Sequence, residues 1–242
     1  MAMAGREPIF NIPTSVVVAV LAFVVLHVVR VALPPQEGQT MLLALAFIPA
    51  RYSGATPDLP GGEWSDITTF ITYIFVHGDS THLVINTIWM IAFGSAVAKR
   101  IGDIRFVIFS LLCGVAGALV HLMLHFGELV PVVGASAAIS GQMAGAIRFI
   151  FGATRTLVPL PRNLDSVPLA GIGETLTDVR FLIFLGVWVA LNLLFGLGGF
   201  QLDSSGSGIA WEAHIGGFLV GLFAIGAFDR GVKHGRTLPF QR

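Results

Sequence analysis

Apolar residues in this chain gather into long blocks instead of alternating with polar ones. Six blocks stand out, at about 15–33, 82–98, 105–126, 136–152, 179–199 and 211–228. A helix needs about 20 apolar residues to cross ~30 Å of hydrocarbon. The shorter blocks suffice if their helices begin inside the membrane. Hydrocarbon offers the backbone no hydrogen-bond partner, so each block is predicted to be a helix that pairs its own amides and carbonyls. Segment 36–81 is broken by Pro, Gly, Glu37, Asp58, Glu63 and Asp66, yet it holds the apolar stretches Met41–Ile48 and Ile67–Val76. That mixture predicts a structured, partly embedded first outward loop. Segment 153–178 is polar and contains Pro and Gly, and 198–210 has the composition of a mobile loop, expected to act as a cap that opens. The first block resembles a secretory leader behind Arg6, but it is too long and runs into Pro34 and Pro35, so a retained first span is expected. No internal repeat is visible. The division that follows is an N-terminal segment 1–14, a six-span membrane domain 15–228 and a tail 229–242.

Composition agrees with this pattern: 55% of residues are apolar and 12% charged, about half the charged share of an ordinary soluble domain. The predicted class is therefore an all-α membrane protein, a six-transmembrane-helix bundle. Fourteen basic residues balance fourteen acidic ones. With no basic tract interleaved with aromatics, a nucleic-acid partner is excluded. Lys99, Arg100 and Arg105, then Arg155, Arg162 and Arg180, then Arg230, Lys233, Arg236 and Arg242 fall on alternate connections, whereas Arg51 is the one basic residue of the opposite loops. The positive-inside rule then puts both termini in the cytoplasm, with an even number of spans between them. Cys113 is the single cysteine and lies inside an apolar block, which predicts a buried, inert thiol.

Three constellations carry candidate chemistry. The first is Gly134-Ala135-Ser136-Ala137-Ala138-Ile139-Ser140-Gly141, where small residues coincide with a helix start. A serine there has unpaired amides beside it at the positive end of a helix, a place to receive an oxyanion. Serine is equally a favoured N-cap, and small residues equally serve helix packing. The second is Ala213-His214 followed by Gly216, Gly217 and Gly221, an imidazole in the outer half of span six that is costly to bury without a partner. Gly217 with Gly221, and Gly141 with Gly145, form GxxxG faces that let spans four and six approach backbone to backbone. That approach would bring Ser136 to His214, with neutral imidazole as the base for the hydroxyl proton. Glu212 and Asp203 are expected at the water surface, so no carboxylate joins the pair. The third is His82 with Asn86, i and i+4 on one face of span two. They are either donors to a developing oxyanion or an interhelical hydrogen-bond pair.

In the order HxxxN, GAS, AHxxG, these elements resemble the rhomboid family of intramembrane serine proteases over roughly residues 60–228. The resemblance implies a six-helix bundle, a catalytic Ser136–His214 dyad, an oxyanion site from His82, Asn86 and the Ser136 backbone, and no cofactor. It implies supporting roles for Gly134 and Ala135 before the nucleophile and for Gly217 and Gly221 on span six. The implied substrates are transmembrane segments of single-span or polytopic membrane proteins, cut near the outer face, with lateral access past span five. A bacterial inner-membrane location is expected. The chain departs from the family pattern at Ala137 for glycine, at Ala98 for glutamate, at Trp64-Ser65 for Trp-Arg, and at Ser140 for an aromatic beneath the histidine. Positioning of His214 must then come from elsewhere, such as water or the Ser140 hydroxyl. The rival reading within the same family is an inactive protein that binds or escorts transmembrane clients. A zinc protease lacks its HExxH array, and His121 with His125 are expected to be interhelical donors or interfacial residues, not a metal site. An aspartyl protease lacks an Asp in any span, and a transporter lacks inverted repeats.

Overall fold

The computed structural model describes residues 11–54, 58–153, 167–197 and 209–229. Most of the N-terminal segment, the tail and the 198–210 loop fall outside those residues. The helices in chain order are α1 Thr14–Ala32, α2 Pro35–Leu45, α3 Gly62–Thr72, α4 Ser80–Trp89, α5 Ser95–Ile101, α6 Asp103–Leu124, α7 Ser136–Ala153, α8 Ile172–Leu176, α9 Val179–Gly196 and α10 Trp211–Phe228. A π-helical turn, Met90–Gly94, joins α4 to α5, so Ser80–Ile101 is one continuous 22-residue helix. Among the described residues, five helices are long and apolar enough to cross a membrane: α1, α4 with α5, α6, α9 and α10. The chain is an all-α membrane protein.

Helix α7 has the length of α10 but is less apolar, carrying Ser140, Gln142 and Arg148. Its placement accounts for this. Every residue from Ala137 to Phe149 is buried, so α7 is enclosed by protein, and its long polar side chains donate to protein acceptors. The Gln142 amide donates to Ser110 Oγ at 2.9 Å, and the Arg148 guanidinium donates to the carbonyls of Leu222 and Ala170. The outer helices show the reverse. On α1, Val18, Leu21, Val25 and Val28 are exposed, and on α9 so are Leu182, Ile183, Val187 and Leu191, a distribution suited to contact with lipid.

Helix α10 lies between α6 and α7, and small residues on two of its faces allow this. A Cβ at Gly217 or Gly221 would strike the backbone of Ala137 or Gly141 on α7. One at Gly216 would meet the Ala116 carbonyl on α6, while one at Gly117 of α6 would meet the Ala213 carbonyl. The α7 face was expected from GxxxG spacing; the α6 face was not. Cys113 is fully buried against Gly141.

Segment 36–81 is ordered through α2 and α3 and clamped from several sides. Phe47 and Val132 exchange backbone hydrogen bonds of 3.0 and 2.8 Å, Tyr73 donates to the Gly114 carbonyl at 2.7 Å, and Arg51 donates to the carbonyls of Leu43 and Pro60. Desolvation raises the Tyr73 phenol well above its ordinary range, so it stays a neutral donor. At the opposite end of the bundle Arg100 makes a two-pronged pair with Asp229 at 3.0 and 2.8 Å, and Ser15 binds Asp103.

Candidate active site

Ser136 is the first residue of α7, and the loop before it is tightly held. Gly134 has φ +103°, a conformation that side chains resist. A Cβ there would also run into the His82 ring. The Gly134 amide donates to the Tyr73 carbonyl at 2.9 Å, and the first intrahelical-type bond runs from Ile139 N–H to the carbonyl of buried Ala135. The amides of Ser136, Ala137 and Ala138 therefore lie outside the helical ladder, pointing their partial positive charge past the serine hydroxyl.

His214 is the fourth residue of α10, and both of its nitrogens are engaged. Nε2 lies 2.7 Å from Ser136 Oγ, and Nδ1 lies 2.6 Å from Asn192 Oδ1 on α9. Asn192 is buried, and its amide nitrogen donates to the Trp188 carbonyl one turn back at 2.8 Å. That bond fixes which end of the amide is oxygen, because the reversed amide would set two oxygens together. An oxygen facing Nδ1 requires Nδ1–H, leaving Nε2 as the lone-pair nitrogen that accepts from the Ser136 hydroxyl. One helical turn further in, Trp188 stacks on Phe218 with centroids 4.5 Å apart, so α9 holds α10 at two successive turns.

Sequence reasoning missed Asn192 and looked instead to Ser140 or water for positioning His214. The available signal was a lone Asn inside span five, since a polar residue at membrane depth is a functional hypothesis by default. The expectation that Glu212 lies at the water surface is overturned. Glu212 is 5% exposed and paired at 2.6 Å with His121, because the close α6–α10 approach encloses the first turn of α10. Asp203 lies outside the described residues.

His82 and Asn86 sit on α4, whose start is capped by Asp79 accepting from the His82 amide at 2.9 Å. The structure brings the His82 ring against Gly134, beside the serine loop. Asn86 is buried, donates from Nδ2 to the His82 carbonyl at 3.0 Å, and has no protein partner at Oδ1 among the described residues. His77, not singled out from the sequence, packs edge-on against His82 at 5.2 Å. Burial, then the neighbouring His82 and His27, hold its imidazole down to about 3, so it is neutral at physiological pH.

Compared with known proteins, residues 64–229 match the Rhomboid domain. The rhomboid protease GluP of Bacillus subtilis (strain 168) is 29% identical over 166 residues, which is 69% of this chain and 26% of that protein. The chain thus spans about a quarter of the length of the relative it matches. Since the domain match takes in well over half of the chain and includes Ser136, His214, His82 and Asn86, the protein belongs to the rhomboid family.

Proposed function

We propose that this protein is an intramembrane serine endopeptidase acting through a Ser136–His214 dyad. The observation that carries the reading is the 2.7 Å contact between Ser136 Oγ and His214 Nε2, on an imidazole whose other nitrogen is engaged by Asn192. His214 accepts the hydroxyl proton as Oγ attacks the scissile carbonyl, and Asn192 keeps the ring in the tautomer this requires. The oxyanion of the tetrahedral intermediate is received by the Ser136 amide, with His82 and Asn86 as further donors; one such donor is typically worth about 3 kcal/mol of the barrier. Imidazolium then returns the proton to the departing amine, and water, activated by the same histidine, releases the acyl group from Ser136. Gly134 and Ala135 shape the turn ahead of the nucleophile, and Gly217 and Gly221 keep α10 against α7.

The substrates of this reading are transmembrane segments of other membrane proteins, single-span or polytopic, cleaved near the outward face. Helix α9 supports lateral entry: only 11% of its residues are buried, so little packing opposes its displacement. In the same reading α7 is the fourth of six spans in the 15–228 membrane domain, both termini are cytoplasmic, and the membrane is a bacterial inner membrane. Helix α3 is embedded from the side in the outer leaflet, which the exposed stripe Trp64, Ile67 and Ile71 supports.

The test is cleavage of a single-span substrate by purified protein in detergent. Ser136→Ala and His214→Ala should each abolish it, and full activity in either would overturn the dyad. Failure of the unaltered protein to cleave any of a broad panel of transmembrane segments would favour an inactive client-binding member of the family.

A further inference from the structure

His121 opens the last turn of α6, His125 follows one turn later as its C-cap, and Glu212 enters from the first turn of α10. Each histidine spends one nitrogen on a fixed acceptor: His121 Nε2 on the Val130 carbonyl at 3.0 Å, and His125 Nδ1 on the Glu128 carboxylate at 2.8 Å. Those acceptors require ring protons at His121 Nε2 and His125 Nδ1, so His121 Nδ1 and His125 Nε2 are the nitrogens that can act as ligands. Both of these nitrogens face one carboxylate oxygen. Glu212 Oε1 lies 2.6 Å from His121 Nδ1 and 3.2 Å from His125 Nε2, and the three ligand atoms all lie within 4.8 Å of one another. Three potential ligand atoms from the ends of two helices thus converge on one point, which a single cation, a metal ion or a proton, can occupy.

We propose that His121, His125 and Glu212 bind a divalent transition-metal ion of the zinc class at the outward ends of α6 and α10. Two imidazoles and one carboxylate suit zinc and its first-row neighbours, not calcium or magnesium, which favour all-oxygen shells. The outer contacts support the assignment independently of the cluster. Metal-bound histidines characteristically donate their other N–H to a carbonyl or carboxylate, and here one does each. His121 is fully buried, while the His125 side chain is 30% exposed and Glu128 56%, which leaves a watery side for entry and for a solvent ligand. The ion would fasten the start of α10 to α6 two residues ahead of His214. The carboxylate comes from a different helix, so the histidine spacing within α6 gives no sign of it.

The experiment uses the full chain carrying Ser136→Ala, so that its outcome is separate from any proteolytic reading. After chelator treatment in detergent, cobalt(II) is titrated and followed by its visible absorption, then displaced with zinc(II). The expected result is one ion per chain, with affinity weakened at least about tenfold by His125→Ala or Glu212→Gln, and by about 10- to 100-fold on removing the Glu128 carboxylate with Glu128→Gln. His125 is partly exposed, so its variant tests the site even if changes at buried His121 fail to fold. Absence of stoichiometric cobalt binding, which would leave a proton as the bridging cation, overturns the proposal. Binding unchanged in both His125→Ala and Glu212→Gln overturns it equally.

Discussion

An imidazole with an acceptor at one nitrogen and a donor at the other has one neutral tautomer open to it, and at His214 that choice belongs to Asn192. Removing the amide leaves a buried N–H at Nδ1 without a partner, which costs about 1–3 kcal/mol. Asn192→Ala is therefore expected to lower kcat by about 10- to 100-fold with little change in KM, since each 1.4 kcal/mol is a factor of ten in rate. Asn192→Asp keeps an acceptor toward Nδ1 and should recover more of the rate than Asn192→Ala; equal losses in both would reduce Asn192 to a packing residue. Gly134 is constrained twice, by its φ of +103° and by the His82 ring where a Cβ would sit. Gly134→Ala should cost about 1–3 kcal/mol in backbone strain, seen as a lower Tm, and should disturb cleavage through both Ser136 and His82.

Helix α10 is held by backbone contact on two sides, which places His214 with little play. At Gly221 the obstacle to a side chain is the backbone of Gly141, not a flexible side chain. Gly221→Val should therefore exceed the ~1–3 kcal/mol of ordinary overpacking, lowering Tm and separating Ser136 from His214. Gly186 on α9 is the matched control, since nothing lies within 4 Å of its Cβ position; Gly186→Val should leave Tm and cleavage near those of the unaltered protein. Equal behaviour of the two variants would mean that the α7–α10 approach is not what sets the site. Helix α9 has the opposite character, joined to α10 through the Asn192–His214 bond and the Trp188–Phe218 stack. The element that orients the proposed base is thus also among the least enclosed.

Across the whole molecule polarity is sorted by position, with the most polar span-length helix in the centre and valine- and leucine-rich helices outside. The ends differ as well. The Arg100–Asp229 pair and the Ser15–Asp103 contact lie at one end, while the serine loop, α3 and the His121–Glu212 pair lie at the other. Under the proposed orientation, a cysteine at exposed Lys99 should react with a membrane-impermeant maleimide only in inside-out vesicles, and one at exposed Glu63 only in intact cells. Native Cys113 is fully buried and contributes little background. The reversed pattern would invert the topology.

Features that depend on the order of residues along one helix were open to reading in advance. Block lengths outlined the long helices, five of them span-length and apolar, GxxxG spacing identified the α7–α10 faces, and i,i+4 spacing put His82 and Asn86 on one side of α4. The Ser136 and His214 motifs each marked the start of a helix, and their pairing followed from glycine faces that could be matched in one dimension. Contacts between helices with no shared local pattern were not open in this way. Asn192 sits alone in an apolar run, and nothing in its neighbourhood says that its oxygen meets His214. Glu212 reads as a surface carboxylate until α6 covers it and His121 meets it. The second small-residue face, Gly117 with Gly216, and the enclosure of α7 likewise depend on which helices become neighbours. Periodicity states which side of a helix is apolar or small; the energy of packing all helices together selects the partner that side will face.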